Sequence, residues 1–334
     1  DYTDGTASIL LEPQSTNLVT YSEDFSDASW TKLAAGTGNS AIVTPNYSVS
    51  PDGTANATRL QCNLNGGTGS ISNQSLVFDT YSSSGDQSLS IYVKSNNGLN
   101  QNIYFANTQT SGDVIVVTNE WKRFEFNHTS ASMVFAIGLR GRSGGAIDDT
   151  ADILIWGAQA EALSYATSYI PTSGAIATRL ADSVTGAGDA TTFNSTEGVL
   201  YAEMAALATT GNNSNITLSD GSGNNRIYIY HLVDNSVSVI YNVNSTGAVL
   251  NNFSLANITD QNKIAVRWGS GSVSVWINGA SVLSDTASNF LPNTLNVLNF
   301  AKPDGGGNFT GKVKDVRTYN TALTDAELTE LTTI

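Results

Sequence analysis

Apolar and polar positions alternate in short runs along much of the chain. "SLSIYVKS" sets Leu89, Ile91 and Val93 on one face, and "MVFAIGLRG" does the same with Phe135, Ile137 and Leu139. "DILIWGA", from Asp152, is apolar on both faces. Runs of period two bounded by Gly, Asn, Asp and Ser predict strands. The pattern resumes in "RIYIYHLV", "SVSVIYNV", "NKIAVRW", "SVSVWING" and "TLNVLNFA". In "SVSVWING", Val273, Val275 and Ile277 face one way, and Asn278-Gly279 supplies the positive-φ residues of a tight hairpin turn. One helix is signalled, at the end of the chain. Thr324 with Glu327 three positions later forms a capping box, and Leu328 and Leu331 give a narrow apolar stripe.

Between the two groups of strands lies "SYIPTSGAIATRLADSVTGAGDATTFNSTEG", small and polar and without a period. The preceding "ILIWGAQAEALSYATSYIPT" (Ile153 to Thr172) starts as a buried strand and leaves its domain through a proline. A boundary therefore falls near residues 172–185, giving domains 1–175 and 176–334, and 334 residues suffice for two separate cores. The expected fold class is all-β: two tandem antiparallel β-sandwiches with a short C-terminal helix.

Composition agrees with that reading. Apolar residues make up 40% and charged residues 13%, and Ser, Thr, Asn and Gly fill most of the remainder. Such a mixture suits short strands and many polar turns better than long helices. The net charge of −14 repels phosphate backbones and anionic lipid, which disfavours nucleic-acid and membrane-surface partners. Cys62 is the only cysteine, so an intrachain disulfide and a cysteine-based zinc site are both excluded. A single thiol suggests folding in a reducing cytoplasm. No apolar run approaches membrane length and no signal peptide is visible. The opening "DYTDGTASILLEP" reads like the middle of a protein, so a fragment or a processed product is expected.

Catalytic chemistry is sparse. His128 and His231 both fall in strand contexts, and no metal-binding histidine spacing occurs. "GRSGG" (Gly141 to Gly145) matches the nucleophile-elbow pattern around Ser143, but a loop and a strand follow it where an elbow needs a helix. Glu203 is the only acid well inside an apolar strand of the second half, and no paired-acid motif accompanies it. N-x-S/T sequons are about as frequent as this Asn-, Ser- and Thr-rich composition yields by chance. No enzymatic activity is expected, and no cofactor is required.

Loops offer more. "SDGSGNN" (Ser219 to Asn225), "PDGGGN" (Pro303 to Asn308) and "DDTAD" (Asp148 to Asp152) carry oxygen ligands that suit Ca²⁺, although tight turns alone explain them. No metal-ligand set is assigned. The candidate ligand-binding residues are Asp220, Asn224 and Asn225 in one loop and Asp304 and Asn308 in another, where Gly lets a ligand approach the backbone. Tyr228 and Tyr230 join them. They share a strand face opposite Ile227 and Ile229, either packed on a second sheet, the simpler account, or partly exposed as a sugar-stacking pair.

Several phrases carry a resemblance. "LLEPQSTNLVTYSEDFSDASWTK", "SIYVKS", "EWKRFEF" and "IWGAQAEALSYATSYIPTSGAIATRLAD" resemble, over residues 8–180, a module common in bacteriophage tail and virion proteins. That module is similar in turn to the galactose-binding-like, carbohydrate-binding jelly rolls found beside glycanases. "GVLYAEMAA", "NKIAVRW", "GSVSVWINGASV" and "FTGKVKDVRTYNTALTDAELTEL" resemble a concanavalin A-like, laminin-G-type jelly roll. This second resemblance implies glycan or protein binding through loops at one sandwich edge, often with Ca²⁺. Together they imply a non-catalytic adhesion region of a phage tail fibre or spike that recognises bacterial surface polysaccharide. The partners would be a glycan and other virion proteins, without membrane insertion. The full-length protein would be a homo-oligomer, a trimer, located in the virion and assembled in the host cytoplasm. Two other readings remain: a structural domain decorating a capsid or tail, and the ancillary region of a polysaccharide-degrading enzyme.

Overall fold

A computed structural model describes residues 7–106, 113–129, 133–143, 146–209, 214–304 and 306–334, with the backbone alone at 246–249. Strands dominate, and among the described residues the one α-helix is Asp325–Thr332. No described helix is long and apolar enough to cross a membrane. The chain divides into two compact units, Gln14–Arg179 and a second made of Leu180–Ile334 with the residues up to Pro13.

In the Gln14–Arg179 unit two five-stranded antiparallel sheets form. One runs in the order Lys122–Thr129, Asp86–Ser95, Thr150–Glu161, Ala57–Asn63, Ile42–Ser48. The other runs Thr31–Ala35, Gln74–Thr80, Val134–Arg140, Gln101–Ala106, Asp113–Val117. Leu89, Ile91, Val93, Phe135, Ile137 and Leu139, the residues set on one face by alternation, are all fully buried in a single core. Each such side chain contributes about 1.5–3 kcal/mol by leaving water. Trp30 joins them, with Phe25 at 4.7 Å and Phe135 edge-on at 5.6 Å. "DILIWGA" proves two-faced: Ile153 and Ile155 enter the core, while Leu154 and Trp156 are buried outside that cluster. The strand's register shifts between Trp156 and Gln159, and Gly157 in that bulge has φ 69°, a conformation side chains rarely adopt.

In the other unit a six-stranded sheet runs Ile9–Leu11, Gly311–Tyr319, Gly198–Ala205, Asn262–Gly269, Ser272–Ile277, Ala280–Thr286. A five-stranded sheet runs Thr246–Ser254, Ser236–Val243, Arg226–Leu232, Asn215–Ser219, Val297–Asn299. Val273, Val275 and Ile277 enter this unit's core, and the hairpin after them turns on Asn278 (φ 49°) and Gly279 (φ 84°). The helix carries its capping box at Thr324 and Glu327. It buries Leu328 against Val199, Tyr201, Ala265 and Trp276 on one face of the six-stranded sheet.

Where the sequence suggests one boundary between residues 175 and 176, the contacts divide the chain twice, after Pro13 and after Arg179. Ile9–Leu11 pairs with Gly311–Val313 in one unit, whereas Ser15–Asn17 pairs with Ala177–Arg179 in the other. Strands of three residues whose partners lie so far along the chain leave no local periodic signal.

Candidate functional site

Strand pleating sorts the residues of the five-stranded sheet onto two faces. Ile216, Leu218, Ile227, Ile229, Val237, Val239 and Tyr241 point into the core. The opposite face carries Arg226, Tyr228 and Tyr230 on one strand. Register places Ser219, Thr217 and Asn215 opposite them on one side, and Asn242, Ile240 and Ser238 on the other. The two tyrosines therefore lie outside the core cluster. Their rings stack at 4.6 Å with an interplanar angle of 18°.

Tyr228 is buried and Tyr230 partly so. The Tyr228 hydroxyl donates to Asn215 Oδ1 at 2.6 Å, and Asn215 Nδ2 donates onward to the Gly307 carbonyl at 2.9 Å. Burial first, then the neighbouring Tyr230, pushes the Tyr228 phenol up to about 12, with Asp304 adding to the rise and Arg226 opposing it. The Arg226 guanidinium sits 5.8 Å from the Tyr228 ring centre. Among the described residues, Ser238 Oγ, Asn242 Oδ1 and Arg226 Nε of this face are enclosed without a hydrogen-bond partner. Thr217, Ser219 and Ser238 are fully buried, and Arg226, Tyr230 and Ile240 are the partly exposed residues of this face.

The structure separates the loop residues singled out in the sequence. Asp304 and Asn308 lie in the segment that Asn215 holds through Gly307, at the Tyr230 end of the sheet. Asp220, Asn224 and Asn225 turn the chain after Ser219, at the Arg226 end. The two loops thus flank opposite ends of the Asn215–Ser219 strand, about 13 Å apart along it. The first loop spends its acceptors internally. Asp220 Oδ1 accepts from the Ser222 N–H (2.9 Å) and hydroxyl (2.7 Å), and Oδ2 accepts from Asn225 Nδ2 at 2.8 Å. Burial alone raises the Asp220 carboxyl, but these donors more than offset it and leave it below its usual range. Asn224 Oδ1 accepts from the Ser245 hydroxyl, and Asn225 Oδ1 from the Asn244 N–H. Asp304 Oδ1 accepts from Gly306 N at 3.0 Å, in an exposed turn.

Face-mates Asn215, Arg226, Ser238 and Asn242 escape a search for loop motifs. Their signal is the complement of the apolar alternation in "NITLS", "RIYIY" and "SVSVIYN", and cross-strand register is needed to assemble it.

Among the described residues, the carboxylates of the Asp148–Asp152 loop do not fit a Ca²⁺ site. Asp152 is engaged by Arg59 at 2.6 Å and Asp148 by the N–H and amide of Asn102, while Asp149 accepts from Gly66 N. Among the described residues no group of three or more His, Cys, Asp or Glu converges.

Ser143 follows the strand Val134–Arg140 and precedes the strand Thr150–Glu161, with no helix assigned among the described residues between them; Gly144 and Gly145 lie outside those residues. Glu203 pairs with Lys314 at 3.5 Å beside Tyr201, on the helix-covered side of the six-stranded sheet. His231 is buried with neither ring nitrogen hydrogen-bonded. Burial lowers the pKa of partly buried His128.

No curated protein sequence matches the chain. Among solved structures it is similar to the CBM40 of a Ruminococcus gnavus IT-sialidase at 16% identity and TM-score 0.36, over 46% of this chain and 97% of that one. It is also similar to domain 4 of AbnA, a GH43 extracellular arabinanase from Geobacillus stearothermophilus, at 16% identity and TM-score 0.34, over 47% and 73%. A SAP-like pentraxin from Limulus polyphemus matches at 12% identity and TM-score 0.33, over 41% and 69%. Residues 184–329, within the unit that carries the tyrosine face, match the family model of the concanavalin A-like lectin/glucanases superfamily.

Proposed function

We propose that the chain is a non-catalytic glycan-binding region that attaches a phage appendage, a tail fibre or spike, to bacterial surface polysaccharide. The observation that carries the glycan reading is the stacked Tyr228–Tyr230 pair, whose Tyr230 ring is partly exposed on a polar sheet face. Tyr230 offers an apolar ring to the C–H surface of a pyranose, and the partly exposed Arg226 offers guanidinium donors to sugar hydroxyls. Arg226 anchors one end of the face by stacking on Tyr228. The match of residues 184–329 to a lectin-containing superfamily supports the same reading. The phage setting is supported by the phrases "YSEDFSDASW" and "SYIPTSG" of the other unit.

No step of bond cleavage is assigned. Glu203 is engaged by a lysine, and Ser143 lies between two strands. A shallow face that exchanges water for sugar hydroxyls binds weakly, so several copies in a homo-oligomer, a trimer on the resemblance, multiply the attachment. Virion proteins would hold those copies together. The test is a bacterial glycan array probed with the chain and with Tyr230→Ala. Binding that is lost in the variant supports the reading; binding unchanged by Tyr230→Ala, or absent throughout, overturns it.

A further inference from the structure

The Gln14–Arg179 unit contains a cavity of about 350 Å³ whose walls come from four separate places in the sequence: Tyr21–Ser26, the bend at Pro45–Asn46, Asn56, and Thr172–Ser173. We propose that this cavity is a second saccharide site, selective for a neutral or amino hexose over an acidic sugar. It involves none of the residues of the tyrosine face, so the two sites stand or fall separately.

Its walls are fixed in advance. Tyr21 bridges Ser173 through the main chain, and its carbonyl accepts from the Trp30 indole at 2.8 Å. Thr172 and Ser22 are tied by main-chain and side-chain bonds, including Thr172 N to Ser22 Oγ at 2.8 Å. Glu23 is held on both oxygens, by the Tyr169 hydroxyl at 3.0 Å and by Asn56 Nδ2 at 2.9 Å. Little ordering therefore accompanies ligand entry, which is where weak polar sites usually lose affinity.

What remains unspent matches a polyol. The Tyr21 hydroxyl and the exposed Asn46 amide have no hydrogen-bond partner among the described residues, whereas Asn56 spends its Nδ2 on Glu23 and its Oδ1 is enclosed, so Asn56 serves as wall only. Asp24 gives one oxygen to the N–H and hydroxyl of Ser26 and keeps the other free. A hexose presents hydroxyls that both donate and accept, so it satisfies carboxylate, carboxamide and phenol together. The Tyr21 ring supplies an apolar wall. The volume falls within the range of small-ligand pockets.

Charge sets the selectivity. Glu23 and Asp24 line the cavity and no Lys or Arg does, so a uronate would meet acceptors without a counter-charge, whereas a hexosamine would meet attraction.

The test is an NMR titration of the whole chain with methyl galactoside, methyl glucoside, glucosamine and glucuronate, following the side-chain amides of Asn46 and Asn56. The neutral sugars and glucosamine should shift both amides, and glucuronate should bind at least about tenfold more weakly. Asn46→Gly, which keeps the left-handed backbone at φ 51°, and Tyr21→Phe should each weaken binding roughly tenfold with unfolding temperature unchanged. Tyr230→Ala should leave these shifts intact, which distinguishes failure here from failure at the tyrosine face. Three results would overturn the proposal: no sugar shifting the amides, glucuronate binding as well as the neutral sugars, or Ca²⁺ alone reproducing the shifts.

Discussion

The Ser15 hydroxyl and the Glu161 carboxylate, 146 residues apart in sequence, meet at 2.5 Å inside the Gln14–Arg179 unit. Glu161 is fully buried and accepts hydrogen bonds from neutral donors: Ser15, the Thr167 hydroxyl (2.5 Å) and N–H (2.9 Å), and Gln159 Nε2 (2.7 Å). It fastens the first strand of the unit to its exit segment. Glu161→Gln puts an NH₂ where donors converge, and should destabilise the fold by about 2 kcal/mol, with Glu161→Ala costing more. Urea unfolding followed by tryptophan fluorescence measures it. A midpoint unchanged in both variants would show that the carboxylate is not what joins the two segments.

Acid should weaken the other unit through His231. Its ring is buried with both nitrogens unpartnered, and burial lowers its pKa from 6.5 to about 4. Between those values the unfolded chain binds a proton that the folded chain refuses, so stability falls as pH drops from 6.5 towards 4 and is unaffected above that window. The loss should reach about 3 kcal/mol at its lower edge. His231→Leu should flatten this part of the pH profile, as read from unfolding midpoints. A variant profile that stays parallel to the parent's would assign the acid sensitivity elsewhere.

Removing Asp220 should cost stability and leave attachment alone. Its three internal hydrogen bonds close the turn that follows Ser219. Asp220→Ala should lower stability by about 1 kcal/mol in calorimetry, with glycan binding at the tyrosine face unchanged. Loss of binding in a folded Asp220→Ala variant would restore the loop as part of the site.

Cys62 should be inert until the protein unfolds. Its side chain is buried, and burial pushes the thiol up to about 12. At pH 8 about one thiol in ten thousand is ionised, and the thiolate is the reactive form. Dithiobisnitrobenzoate should therefore react negligibly with native protein and with one equivalent in denaturant. Rapid native labelling would place the thiol at the surface.

Much of this was legible in local pattern. The alternation of Leu89, Ile91 and Val93, the Asn278-Gly279 turn and the Thr324–Glu327 capping box are encoded within a few residues, and the structure shows each of them. Tyr228 and Tyr230 were assignable to the face opposite Ile227 and Ile229, but alternation alone does not say whether such a face meets a second sheet. Their neighbours Asn215 and Ser238 depend on which strands pair and in what register, information held in contacts between distant segments. The Asp220 loop shows the converse difficulty. The Asp and Asn residues that look like open acceptors are also turn formers, and in the fold the turn consumes them.

The double crossing between units has a consequence for how the protein can be taken apart. Glu12 and Asp182 bond reciprocally, Glu12 N to Asp182 Oδ2 at 2.8 Å and Asp182 N to the Glu12 carbonyl at 3.0 Å. Ser15 lies opposite Arg179 in the neighbouring ribbon. The segment between is therefore a cassette whose entrance and exit lie side by side, inserted in a host that encloses it in sequence. A single cut cannot release it, and no simple truncation isolates the host. Excision of residues 14–179 with a short glycine closure would instead leave the host's ends already near each other, at little loop-closure cost. By the same geometry a different guest could be installed at Pro13 and Leu180, which makes the host sandwich a carrier whose cargo can change without redesign of its own core.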